Sequence, residues 1–206
     1  TFVASILLDV DFAIAFAILV LWIGSLLLTT GNPPEPPAVD IIINEILADP
    51  ASGLAGDANG DGVRDSTGDE FVEIVNATGE DVDFSGWTLA DGFGVRHEFP
   101  AGSIVPDGCS VVVFGGGAPA GAFGISLVQT ASTGALGLNN SGDSLTLSDG
   151  SNAVASTSYG SEGSDNQSLT LDLDVTGVAP YAKHSLATGS GGALFSPGTK
   201  IDGSQF

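Results

Sequence analysis

The sequence predicts an all-β sandwich preceded by one long N-terminal hydrophobic α-helix, and two observations carry that expectation. From Phe12 to Leu28 nearly every residue is Ala, Ile, Leu, Val, Phe or Trp, and no charged residue stands between Asp11 and Glu35. After Val39 the pattern changes to short β-branched or aromatic runs set between clusters of Gly, Asp, Asn and Ser, with no second helical periodicity.

A helix running through Thr30, at about 1.5 Å per residue, is long enough to cross a hydrocarbon core of about 30 Å. Being apolar all round, it belongs in lipid or among helices of its own kind. The first basic residue is Arg64, so the run lacks the positive flank of a secretory signal or ordinary anchor, and a start at Thr1 and not Met means either a processed product or a true start upstream. Both facts fit a pilin-like maturation, in which a basic leader is removed in front of an apolar segment that stays on the protein. Asp9 and Asp11 lie inside the segment, where carboxylates are paired or neutral. The α-amine of Thr1 in a neighbouring copy is an available cation. The arrangement resembles the acidic residue near the N-terminus of type IV pilins, which registers one subunit on the next. Filament core, lone membrane span and uncleaved targeting segment all remain open readings.

Residues 1–31 form this helix and 32–39 a linker, where Pro33, Pro34, Pro36 and Pro37 exclude helix and sheet pairing and favour an extended spacer. Residues 40–206 are about 165 in number, one ordinary domain with enough chain to bury a core. Its expected strands are IIINEIL (41–47), EFVEIV (70–75), WTLAD (87–91), VRHEF (95–99), CSVVVF (109–114), DSLTLSD (143–149), NAVASTSY (152–159) and NQSLTLD (166–172), arranged antiparallel. Leu145 and Leu147 alternate with Ser144, Thr146 and Ser148, as in a strand with one wet face. The Gly- and Ala-rich stretch 115–137 reads as a long surface loop. The last thirty residues, ending SPGTKIDGSQF, read as irregular chain closing over the sheet.

Four Lys and Arg against 25 Asp and Glu give a net charge of −21. Such a surface repels nucleic acid and anionic lipid, so the balancing cation is a divalent metal, salt or another protein. Cys109 is the single cysteine, which rules out an intrachain disulfide. It reads as a small buried strand residue, with an intersubunit disulfide as the other option.

In order, IIINEILADP, GDANGDGVRD, DEFVEIVN, FSGWTLAD, a later FP, a VVVF strand, LGLNNSGDSLTLSDG and a terminal SPGT resemble the lamin tail domain in its prokaryotic secreted form. The resemblance spans residues 40 to 203 and implies an immunoglobulin-like β-sandwich with Trp87 as a core residue.

One motif has a sharp chemistry. Asp57, Asn59 and Asp61 at alternate positions, Gly62 in sixth place, the Val63 carbonyl and Asp65 reproduce the first half of a calcium loop. The twelfth place is Gly68, so Asp69 or Glu70 has to close the shell. A merely soluble Asp/Asn/Gly turn is the competing reading. Glu45 and Asp49 read either as further ligands or as a solvated strand edge, and Glu73 as structural. His97 and His184 are lone surface or core histidines. Asn76, Asn139 and Asn166 match the glycosylation acceptor pattern. No HExxH, P-loop, dinucleotide fingerprint or nucleophile elbow occurs, and no aromatic cluster accompanies a carboxylate pair.

Together these observations predict a non-enzymatic structural subunit of an extracellular, pilus-like filament, membrane-inserted before assembly. It would join copies of itself through the N-terminal helix and display a calcium-stabilised sandwich. A cell-surface adhesion or display module that is anchored and does not polymerise is the alternative. Neither reading needs a nucleic acid or a small-molecule substrate.

Overall fold

The computed structural model describes residues 41–177 and 179–206. Twelve strands are present among them: β1 (Ile41–Leu47), β2 (Phe71–Asn76), β3 (Val82–Asp83), β4 (Thr88–Ala90), β5 (Val95–Glu98), β6 (Ile104–Val105), β7 (Ser110–Phe114), β8 (Leu127–Thr130), β9 (Asp143–Ser148), β10 (Ala153–Tyr159), β11 (Leu169–Thr170) and β12 (Ala182–Lys183). They form a six-stranded sheet in the order β12-β11-β1-β2-β7-β8, a four-stranded sheet β10-β9-β4-β5, and a β3-β6 ribbon. The described chain is thus an all-β sandwich, broken by three single 3-10 turns.

Between the two larger sheets lies the main core. Val72, Ile74, Val111 and Val113 face Leu89, Leu145 and Leu147, with Phe84 and Phe99 closing one side. Trp87 packs against this core half-buried and stacks on Phe84 at 4.5 Å. The alternation read in β9 holds, since Leu145 and Leu147 are buried and Ser144 is exposed.

The six-stranded sheet is buried on both faces. Leu47, Phe71, Val112 and Phe114 form a second cluster on the side away from the main core, under Phe123 and Phe195. This explains why VVVF shows no alternation, because strands covered on both faces are apolar throughout. In β1 the register slips between Ile43 and Glu45. The bulge moves the inward set from Ile41 and Ile43 to Ile46, and turns Glu45 and Leu47 toward the second cluster.

Three sequence expectations need correction. The stretch 115–137 is not all loop, because β8 lies within it. Nor is the pairing wholly antiparallel, since β8 runs parallel to β7. A parallel neighbour requires the chain to return along the sheet, so residues 115–126 cross the outer face and place Phe123 on Phe114 at 5.2 Å. The reading 166–172 also shortens to β11, with two residues paired on β1.

The register fixes which end is which. Ile41 pairs with Asn76 and Leu47 with Phe71. The chain therefore enters β1 at one end of the sandwich, and the 48–70 loop stands at the other.

Candidate functional site

The 57–70 loop is built from side chains that cap its own backbone. Gly62 has φ +87°, a conformation L side chains rarely adopt. Its N–H donates to Asp57 Oδ2 at 2.9 Å, closing the sharp turn that a calcium loop needs in sixth place. Asp57 Oδ1 is buried and has no hydrogen-bond partner among the described residues. Asn59 Oδ1 accepts from Asp61 N at 3.0 Å, and Asp61 Oδ1 from Val63 N at 2.8 Å. Asp65 Oδ1 accepts from Gly68 N and Thr67 N, which hold its carboxyl below the usual range. Asp69 divides its oxygens between Asn59 N at 3.0 Å and Asp65 N at 2.7 Å, and burial raises it.

Glu70 turns away from the loop. Its Oε2 accepts from Gly137 N at 2.9 Å and Leu138 N at 3.2 Å, and burial pushes it up to about 7. Arg64 donates to the carbonyls of Ala51 and Pro50. The loop also clasps the 115–126 crossover, because Ala118 N donates to Asp61 Oδ2 and Asn59 Nδ2 to Gly116 O. A Cβ at Gly117 would lie 2.3 Å from Asn59 Nδ2, so only glycine permits that approach. Among the described residues no three His, Cys, Asp or Glu side chains converge as a metal-holding group. A cation here would draw on Asn59 and the Val63 carbonyl as well as on acids.

Sequence reasoning missed a second polar site on the same sheet face. Glu45 and Glu73 are cross-strand partners, and neither is exposed. Glu45 is therefore not a solvated strand edge. It accepts from Ser168 Oγ at 2.5 Å, Ser196 N at 3.0 Å and Ser196 Oγ at 2.9 Å. Glu73 accepts from Asn44 Nδ2 at 3.0 Å and Gly198 N at 2.7 Å. Asp174 takes Ile201 N at 2.9 Å. Three carboxylates thus bind three backbone N–H groups of the C-terminal arm. Burial drives Glu73 well above the ordinary carboxylate value, and the nearby charge of Glu45 adds to the shift. Burial also raises Glu45, and His184 offsets part of it.

His184 is buried, with Nδ1 facing the Ala193 carbonyl at 2.9 Å and Nε2 at 2.8 Å from Ser196 Oγ. The grouping superficially suits nucleophilic catalysis. However, the N–H groups of Ser196, Gly198 and Thr199 are all committed, to Glu45, Glu73 and the Ser196 carbonyl, so none is left to stabilise an oxyanion. The cluster acts as a clasp. Its signal in the sequence was a glutamate inside each of two apolar strands, together with the terminal Ser-Pro-Gly.

The remaining candidates are scattered. Asp49 accepts from Asn140 Nδ2 and Asn166 N. His97 is buried against Gln129, and Cys109 is buried and free. Asn139 and Asn166 are exposed. Asn76 is not a free acceptor, because it is fully buried and its amide nitrogen donates to the Glu80 and Val105 carbonyls. Thr1, Asp9, Asp11 and the expected apolar helix lie outside the described residues. Within those residues no helix is long and apolar enough to cross a membrane.

Compared with known families, residues 34–161 match the family model described as Lamin Tail Domain. That stretch includes β1 to β10 and the acidic loop, and it stops short of the C-terminal arm. No curated protein matches the chain.

Proposed function

The chain belongs to the lamin tail domain family, an immunoglobulin-like structural domain and not an enzyme family, and from that premise we propose that it is a structural subunit of an extracellular, pilus-like filament. The observation that carries the reading is the uncharged apolar run from Phe12 to Leu28, followed by a proline spacer that leads into β1. So much apolar surface needs shelter, and copies of the same segment provide it while the sandwich stays outside. Asp9 and Asp11, paired with a cation of a neighbouring copy, would set the register.

Calcium stiffens the displayed domain in this reading. Support comes from the loop spacing, from the Gly62 turn that engages only one oxygen of Asp57, and from the other oxygen, buried and without a partner among the described residues. Asp57, Asn59, Asp61, the Val63 carbonyl and Asp65 are the proposed ligands, with Asp69 closing the shell, because Glu70 turns to Gly137 and Leu138.

Shearing native cells and imaging the released material by negative stain tests the assembly. Fibres containing this chain are expected. Single copies that leave the cell only with detergent would replace the filament with an anchored display module.

A further inference from the structure

Of the three Asn-x-Ser/Thr matches in the sequence, the geometry separates one from the other two. Asn139 stands exposed on a turn closed by Gly142 N, which donates to the Asn139 carbonyl at 2.9 Å. Its Oδ1 accepts from Ser141 N at 3.0 Å and from Ser141 Oγ at 2.8 Å, so amide and hydroxyl are held together in an Asx turn. Asn139 N donates to Asp143 Oδ2 at 3.1 Å, and Asn140 Nδ2 to Asp49 Oδ1 at 2.8 Å, which pins the turn on both sides. These contacts leave Asn139 Nδ2 without a partner among the described residues. Asn76 makes the same turn with Thr78, but it is fully buried and its Nδ2 is spent on two carbonyls. Asn166 is exposed and lacks the hydroxyl, because Ser168 is buried and its Oγ is bound to Glu45.

We propose that Asn139 is an N-glycosylation site, and that its donor substrate is an oligosaccharide carried on a lipid phosphate. Transfer joins Asn139 Nδ2 to the anomeric carbon of the sugar. The bond from that carbon to the phosphate oxygen breaks, the lipid phosphate leaves with the electron pair, and one amide proton passes to a base of the glycosyltransferase. Ser141 supports this step, since its two donors on Oδ1 stabilise the negative charge that spreads onto that oxygen as the proton departs. Asn140 is tied to Asp49, at the start of the 48–70 loop, so the sugar stands at that end of the sandwich, opposite the end at which the chain enters β1. The site draws only on the extracellular part of the function proposed above.

The test is peptide mass spectrometry of the full chain taken from the cells that make it, because a host without the transferase adds nothing. Trypsin leaves Asn139 and Asn166 together in the peptide 97–183, and a further cut by chymotrypsin after Tyr159 separates them. The Asn139 peptide is expected to gain mass in whole monosaccharide units, while the Asn76 and Asn166 peptides stay bare. The added mass should be lost completely in Asn139→Gln and in Ser141→Ala, and kept in Ser141→Thr. A bare Asn139, or sugar on Asn166 in its place, would overturn the proposal. Sugar on Asn76, alone or beside Asn139, would mean transfer ahead of folding and would overturn it too. Sugar kept in Asn139→Gln and lost in Ser141→Ala would move the attachment to the serine hydroxyl. Sheared fibres with a bare Asn139 would leave the filament standing without the site, whereas glycosylated single copies would keep the site without the filament.

Discussion

Glu73 shows what a single buried carboxylate does here. Removing it leaves Gly198 N and Asn44 Nδ2 facing an empty site in the interior. Glu73→Ala is therefore expected to cost about 3 kcal/mol of unfolding free energy, with both donors stranded. Glu73→Gln keeps one acceptor oxygen but turns its amide nitrogen toward the other donor, while burial already favours the neutral acid at this position. It should cost about 1–2 kcal/mol, less than the alanine change; equal losses in chemical denaturation would show that the charge and not the retained acceptor matters. The same carboxylates set the pH dependence. Glu70, Glu45 and Glu73 all have folded values raised by burial, Glu70 to about 7. Between the unfolded value near 4.5 and the raised one, the folded state holds more protons than the unfolded state. Stability therefore falls as pH rises through that window. The unfolding temperature should climb when pH is lowered from 8 to 5.5, and Glu70→Gln should flatten the profile; a temperature that falls instead would contradict the burial of these groups.

The 57–70 loop and the C-terminal arm divide what the sequence could and could not disclose. β-branched runs between turn residues were enough to place β1, β2, β7, β9 and β10, because these strands alternate or sit wholly in apolar surroundings. β3, β6 and β12 have two residues each, too few for any period to register, and β8 is held by parallel pairing with β7 while its own side chains are mostly half-buried. The slip in β1 left no mark on IIINEIL, so the reading of Glu45 as a wet edge residue went wrong at that bulge. Acidic spacing revealed the loop, whereas the Glu45–Ser196 and Glu73–Gly198 contacts join residues more than a hundred positions apart, and no local pattern encodes them. If the loop takes calcium, the ion at a hundred times its dissociation constant adds about 2.7 kcal/mol. For a domain of this size that raises the unfolding temperature by roughly 5–10 °C. Calorimetry with and without calcium should show the rise, and Asp57→Asn should abolish it. An unchanged temperature in the parent would leave the loop a self-capped turn.

Charge governs the molecule as a whole. A domain of about 165 residues has a radius of gyration of roughly 15 Å, so sandwiches packed side by side bring their carboxylates within a few ångströms to a few tens of ångströms of one another. At 0.01 M ionic strength the screening length is about 30 Å, which spans a neighbouring domain; at 0.15 M it is about 8 Å, and only carboxylates directly across a contact still interact. A chain with 25 acidic and four basic residues cannot neutralise that repulsion by pairing with itself. The apolar segments hold the proposed filament together, and the displayed domains push it apart by an amount that salt controls. Sheared filaments sedimented across a series from 0.01 to 0.5 M sodium chloride should therefore pellet fully at high salt and shed subunits or fray at the low end. Millimolar calcium should protect them at low salt beyond what the same ionic strength of sodium achieves, because a bound divalent ion cancels charge at the acidic loop as well as screening it. Fibres whose pelleting ignores ionic strength across that series would mean that the acidic sandwiches do not approach one another, and that the apolar segment alone decides the packing.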